Sequence, residues 1–260
     1  MFRTNSLVMS LALIALPAIA APPPTVLSSI DLAKPFHTRS PWRFTATQGP
    51  AVPDSFGQLG DTDPGLVTLC LSRDGVRNCE PTLLGTLGHS AANAFDGPHY
   101  LRKIEIDRPD SRPLLLIQSA NLPSGDGDYG IETIAFRYDP GRDRFIVAYR
   151  HVAEHNRNGD VRYIANGPLH GDFISAEATD DAPFGYWVTI NRLAMDDTYH
   201  QVLRYRSATH YGDNNPLAVI DSEMPNIEQH LHLWAPGQPL PLPAGKCPAP
   251  HLVRGALWCQ

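Results

Sequence analysis

Lysine is nearly missing: Lys34, Lys103 and Lys246 are the only three in 260 residues, so the positive charge is almost all arginine. The chain carries 21 basic against 27 acidic residues, a formal net charge of −6, and no Lys/Arg cluster. Such a surface repels phosphate backbones, and nucleic-acid binding is not expected. Also missing are the loops that announce common chemistries: no Walker loop, no dinucleotide fingerprint opening a helix (Gly125-x-Gly127-x-x-Gly130 runs into the strand-like Ile131 to Tyr138), no His-Glu-x-x-His and no Ser-x-x-Lys. Nucleotide, nicotinamide and common zinc-protease chemistry therefore lack support. Beyond the N-terminus no stretch is long and apolar enough to span a membrane as a helix.

One apolar run stands at the start of the chain. Arg3 supplies a positive charge, Leu7 to Leu16 is uncharged and mostly apolar, Pro17 breaks the helix, and Ala18-Ile19-Ala20 offers small residues to a signal peptidase. A membrane anchor needs ~20 apolar residues, about twice this run. Pro22, Pro23 and Pro24 then forbid any continuation as helix. No cysteine lies near the cleavage point to take a lipid anchor. Residues 1–20 are thus expected to be a cleaved signal peptide, with the periplasm or the extracellular medium as destination.

Export gives the cysteine count a meaning. Cys70, Cys79, Cys247 and Cys259 are an even set in an oxidising compartment. Leu66 to Leu71 reads as a strand, and Asp74-Gly75 is a preferred two-residue hairpin turn. Centring a hairpin there pairs Ser72 with Arg77 and Cys70 with Cys79. The two cysteines then face each other at a non-hydrogen-bonded position, within disulfide reach. Cys247 with Cys259 follows by elimination, closing a proline-rich C-terminal segment. Zinc ligation would need closer Cys or His spacing than the chain shows.

With 42% apolar residues the chain can bury a core. Residues 21–64, rich in Pro, Ser, Thr and Gly, read as an extended lead-in with one strand around Trp42 to Ala46, followed by a single β-rich domain over 65–260. Strand signals recur at Tyr100 to Ile106, Pro113 to Ser119, Ile131 to Tyr138, Phe145 to Val152, Val161 to Ala165, Tyr186 to Asn191, Tyr199 to Tyr205 and Pro216 to Asp221. Turn formers separate them, as at Asp139 to Asp143. On the strand after that turn, alternation puts Phe145, Val147 and Tyr149 on one face. A helix is expected near the end, capped by Ser222, with Pro225 in its first turn and Ile227, Leu231 and Trp234 on one side. Helices do not alternate with strands. The expected fold is therefore all-β and mainly antiparallel, a sandwich, barrel or propeller-like array with one short C-terminal helix.

Four constellations invite a chemical reading. Gly88-His89-Ser90-Ala91-Ala92 approaches the nucleophile elbow of serine hydrolases, with Asp221 and His251 downstream in the right order. A Gly-Ser turn beside a short helix explains the same residues, and the parallel α/β context is missing. Asp221 and Glu223 are a carboxylate pair of glycosidase type, or a polar junction at a helix start. Exposed Trp42, Trp187 and Tyr211 would suit sugar stacking. Acidic turns holding Asp61 and Asp63, Asp126 and Asp128, Asp139 and Asp143, and Asn156, Asn158 and Asp160 would suit Ca²⁺, and equally are ordinary turn chemistry. His230 and His232 share a face only on a strand, not on a helix. His151 with His155, and His210 with Asp213, are no stronger. The balance is an exported binding or interaction module for an envelope or extracellular ligand, with no cofactor beyond calcium in view. The alternative is a secreted hydrolase using Ser90 or the acids near Asp221.

Overall fold

A computed structural model describes residues 23–54, 57, 60–73, 79, 97–124, 129–154, 159–179, 185–207, 219–241, 250–253 and 256–259. Fifteen strands and two helices are assigned among these residues. They are β1 (Thr25–Asp31), α1 (Ala33–Phe36), β2 (Arg43–Gln48), β3 (Val52–Pro53), β4 (Thr62–Asp63), β5 (Val67–Ser72), β6 (Tyr100–Asp107), β7 (Leu114–Ala120), β8 (Gly130–Asp139) and β9 (Arg144–Glu154). There follow β10 (Asp160–Tyr163), β11 (Phe173–Ala178), β12 (Tyr186–Leu193), β13 (Tyr199–Ser207), α2 (Val219–His230), β14 (Pro250–Val253) and β15 (Ala256–Cys259). The fold is all-β and antiparallel, as the turn spacing predicts, and it is not a closed barrel.

Three sheets carry the architecture: β1-β2-β5, then the sequential meander β6-β7-β8-β9, then the second meander β10-β11-β12-β13. They stack face on face, and the residues between them say how. Leu115, Ile117, Ile134, Phe136 and Phe145 of the second sheet pack on Phe36, Trp42, Phe44 and Leu71. Leu114, Leu116, Ala135 and Tyr149, on the opposite face, pack on Val161 and Phe173 of the third sheet. Ile174, Val188 and Ile190 then turn away from the second sheet to meet Val219, Ile220, Met224 and Ile227 of α2. A middle sheet covered on both faces must be apolar at odd and even positions alike, which is why β7 begins Leu-Leu-Leu-Ile. Each such side chain contributes roughly 1.5–3 kcal/mol on burial.

Several sequence expectations change here. Part of the segment read as a lead-in forms β1, α1 and β2 and seats Leu32, Phe36 and Trp42 in the first core. Trp42 is fully buried, edge-on to Phe145, and cannot stack on a sugar. The Cys70–Cys79 disulfide is present with Cα atoms 5.1 Å apart. Its register differs, however: Ser72, not Cys70, lies opposite Cys79, so the cysteines are diagonal neighbours. A disulfide constrains Cα separation rather than register, and β5 takes its register from β2, where Cys70 faces Thr45. Cys247 lies outside the described residues, as does the side chain of Cys259.

On β9 the alternation breaks. The register shifts between Ala135 and Phe136, so that Val147 faces Phe136 and Tyr149 faces Ala135. The extra residue, Ala148, flips the faces. Phe145 points into the first core and Tyr149 into the second, on opposite sides rather than together. Finally, the apolar run ending at Asp221 is not a strand: from Val219 it is α2, with Ser222 inside it and Pro225 in its interior. Packing of Val219, Ile220, Met224 and Ile227 on the third sheet overrides the β-branched preference of the first two.

Candidate functional site

The second and third sheets meet over an apolar half and a polar half. In the apolar half, Tyr149 stacks on Phe173 with ring centroids 3.9 Å apart and planes 7° from parallel. Tyr199 closes edge-on against both, at 5.6 Å and 4.8 Å. Beyond this aromatic floor the sequence turns polar at each groove-facing position. Alternation on β11 puts Ser175 and Glu177 on the face of Phe173, and the register sets Thr189 beside Ser175 and Arg204 beside Thr189. Asn191 and Gln201 form the next pair along. Together with Tyr149 and His151 of β9 these side chains line a groove of about 390 Å³.

Two atoms in the wall are out of balance. Tyr149 is 8% exposed, and its hydroxyl is shut from solvent with no hydrogen-bond partner among the described residues. His151 Nε2 is equally shut in. It lies 3.3 Å from Glu177 Oε1, yet outside hydrogen-bonding geometry. Burial raises the Tyr149 phenol above its ordinary range, helped by the Glu177 charge. Burial also lowers His151 below its usual 6.5, against the opposing pull of Glu177. Both groups are therefore neutral at pH 7, each able to donate one hydrogen bond and accept another. At the rim, the Arg204 guanidinium lies 4.4 Å over the ring of Trp187. Ser72 Oγ, Glu105 Oε2, Ser119 Oγ and Glu132 Oε2 are also buried without a hydrogen-bond partner among the described residues, but none of them lines this groove. Buried polar groups in native proteins are overwhelmingly paired, so two open ones facing one polar groove single it out among the cavities.

Other concavities differ in this respect. At the opposite end of the inter-sheet seam a cavity of about 480 Å³ is lined by Arg112, Arg192, Asp110 and Asp172. There Arg192 pairs bidentately with Asp172, at 2.9 and 2.7 Å, while Arg112 bridges Asp110 and Asp197. Arg137, 2% exposed, grips Asp110 through both terminal nitrogens and donates to the Arg112 carbonyl. Arg112 thereby joins the β6–β7 turn to the β12–β13 turn, Arg137 ties β8 to the first of these, and Arg192 ties β12 to the segment before β11. Gly171 closes the same seam: its φ is +93°, and a Cβ there would come within 2.4 Å of Pro109. A third cavity, of about 230 Å³, is walled by Arg162 and Asp160, and Arg162 is held by Asp160 and Asp221.

The residues singled out from sequence do not assemble into this groove. Asp221 is buried against Arg162 of β10. Two positions on, Glu223 faces β13, where it accepts from Tyr205 Oη at 2.8 Å, from the Ser207 hydroxyl and from Asn226 at 3.0 Å. The two acids thus serve different strands. His251 lies exposed on the β14–β15 hairpin. Ser90, Asp126, Asp128, Asn156, Asn158, Tyr211, His155, His210 and Asp213 lie outside the described residues. Asp160 pairs with Arg162. Asp143 is a structural acceptor, and hydrogen bonds from Ser40, Tyr138 and Trp42 hold its carboxyl down at about 2. Among the described residues no group of three or more His, Cys, Asp or Glu could hold a metal ion. No described helix is long and apolar enough to cross a membrane.

Of the groove residues, sequence reading reached Trp187 as a stacking candidate, His151 as half of a weak pair and Tyr149 on the wrong face. It missed β11 altogether. The signal was there in Phe-Ile-Ser-Ala-Glu-Ala, where polar Ser175 and Glu177 interrupt an otherwise apolar strand.

The fold and groove together define a stacked-sheet β protein with a polar inter-sheet cleft. Comparison with known protein families, curated proteins and solved structures returns no match.

Proposed function

We propose that the protein is an exported binding module whose ligand enters the groove between β9 and the β11–β13 face. One observation carries this reading: the Tyr149 hydroxyl and His151 Nε2 are buried without a hydrogen-bond partner among the described residues, beside a cleft lined by polar side chains. An unpaired buried polar atom costs about 1–3 kcal/mol, and a ligand that satisfies it recovers that cost on binding. The aromatic floor holds Tyr149 in place before any ligand arrives, which lowers the entropy cost of association. The leader-like residues 1–20 support an extracytoplasmic setting, in which the ligand is an envelope or extracellular molecule. The acid-pair form of a hydrolase has no comparable support, since Asp221 and Glu223 are each engaged with structural partners, and Ser90 lies outside the described residues.

A thermal-shift screen of polar small molecules tests the reading, because a ligand that binds only the folded state raises its melting point. The expected result is at least one compound that stabilises the protein but not an Asn191→Leu variant, in which one polar group of the groove is replaced by a bulkier apolar one. Compounds that stabilise both proteins equally would place binding elsewhere and overturn it.

A further inference from the structure

We infer that the groove takes a neutral sugar residue, the hydroxyl-rich end of a glycan; the inference rests on the groove being the binding site. The charges that would select an ion oppose one another. Glu177, half exposed at the rim, meets an incoming anion with a carboxylate, and Arg204 meets an incoming cation with a guanidinium already spread over Trp187. The third charged residue of the wall, Arg150, gives its guanidinium to Glu132 at 2.6 Å. What remains in the wall are groups that both donate and accept: the Tyr149, Ser175 and Thr189 hydroxyls, the neutral His151 imidazole, the carboxamide of Asn191 and, at the exposed edge, that of Gln201. A ligand made only of acceptors, such as sulfate, would leave the accepting half of each group idle. An apolar ligand would leave Tyr149 Oη and His151 Nε2 as unpaired as they are now. Sugar hydroxyls donate and accept at neighbouring carbons, in the same mixture the groove offers. A volume of about 390 Å³ is at the small end of ligand sites, suited to a mono- or disaccharide rather than a long chain segment.

Titration calorimetry of the exported chain tests this directly. The probes are glucose, galactose, mannose, N-acetylglucosamine and their disaccharides, set beside glucuronate, sialate and spermidine. At least one neutral sugar is expected to bind at concentrations up to ~10 mM, more tightly than its charged counterpart. Gln201→Ala and Tyr149→Phe should each weaken that binding about 10-fold, the loss of one neutral hydrogen bond. Gln201 is exposed on an edge strand, so its truncation leaves the core intact, as circular dichroism would verify. If no neutral sugar binds, the sugar assignment is overturned. If a charged probe binds instead and both variants weaken it, the sugar assignment fails while the groove remains the site. Binding indifferent to both variants removes the groove along with it.

Discussion

Polar side chains are buried on both faces of the third sheet, on different terms. Toward α2, Glu223 is 2% exposed and collects hydrogen bonds from Tyr205, Ser207 and Asn226, and Asp221 is tied to Arg162. Toward β9, Tyr149 is nearly as deep, yet its hydroxyl has no partner among the described residues. The helix-side groups are bonded within the chain and hold it together. The groove-side groups are held rigid by aromatic packing and left open. Burial is common to both sets, and what differs is partnership among the described residues.

Substitutions break this comparison from its stable side most strongly. Glu223→Ala removes a buried carboxylate and strands the donors aimed at it, with an expected loss of about 3–5 kcal/mol in urea denaturation. Tyr205→Phe deletes one donor to that carboxylate and should cost about 1.5–3 kcal/mol by the same measurement. Smaller again is the pH response of His151. Its folded-state pKa lies below the ordinary 6.5, so on acidification the unfolded chain takes up the proton first. Its contribution is present above that value and is lost as pH falls through it. Wild type should therefore lose stability between about pH 7.5 and about pH 5.5, and His151→Gln should flatten that part of the profile. An unchanged slope would show that His151 is not buried as described.

How much of this was legible depended on whether a residue's role is local. The doubly covered β7 announces itself, because Leu114-Leu115-Leu116-Ile117 leaves no position for solvent. The Cys70–Cys79 pairing was readable from the Asp-Gly turn, although its register was set by β2, a strand from the segment taken for a lead-in. Residues 219–221 read as strand because Val and Ile favour one, and only their packing on Ile174, Val188 and Ile190 makes them helix. The groove was illegible for two reasons. Its residues run from Tyr149 to Arg204, over four strands whose facing depends on a one-residue bulge at Ala148. And β11 hides as a strand just where polar residues replace apolar ones on the face that lines the cleft.

The most direct test is the unliganded stability of Tyr149→Phe set against Tyr205→Phe. Both changes remove one phenolic hydroxyl, from a buried tyrosine in one case and a partly buried one in the other, and they differ in whether that hydroxyl is bonded. An open groove predicts opposite signs: Tyr149→Phe is unchanged or more stable by up to about 1 kcal/mol, while Tyr205→Phe is less stable. Equal destabilisation by the two would mean that Tyr149 is bonded within the folded chain, and the groove would lose its claim to a ligand.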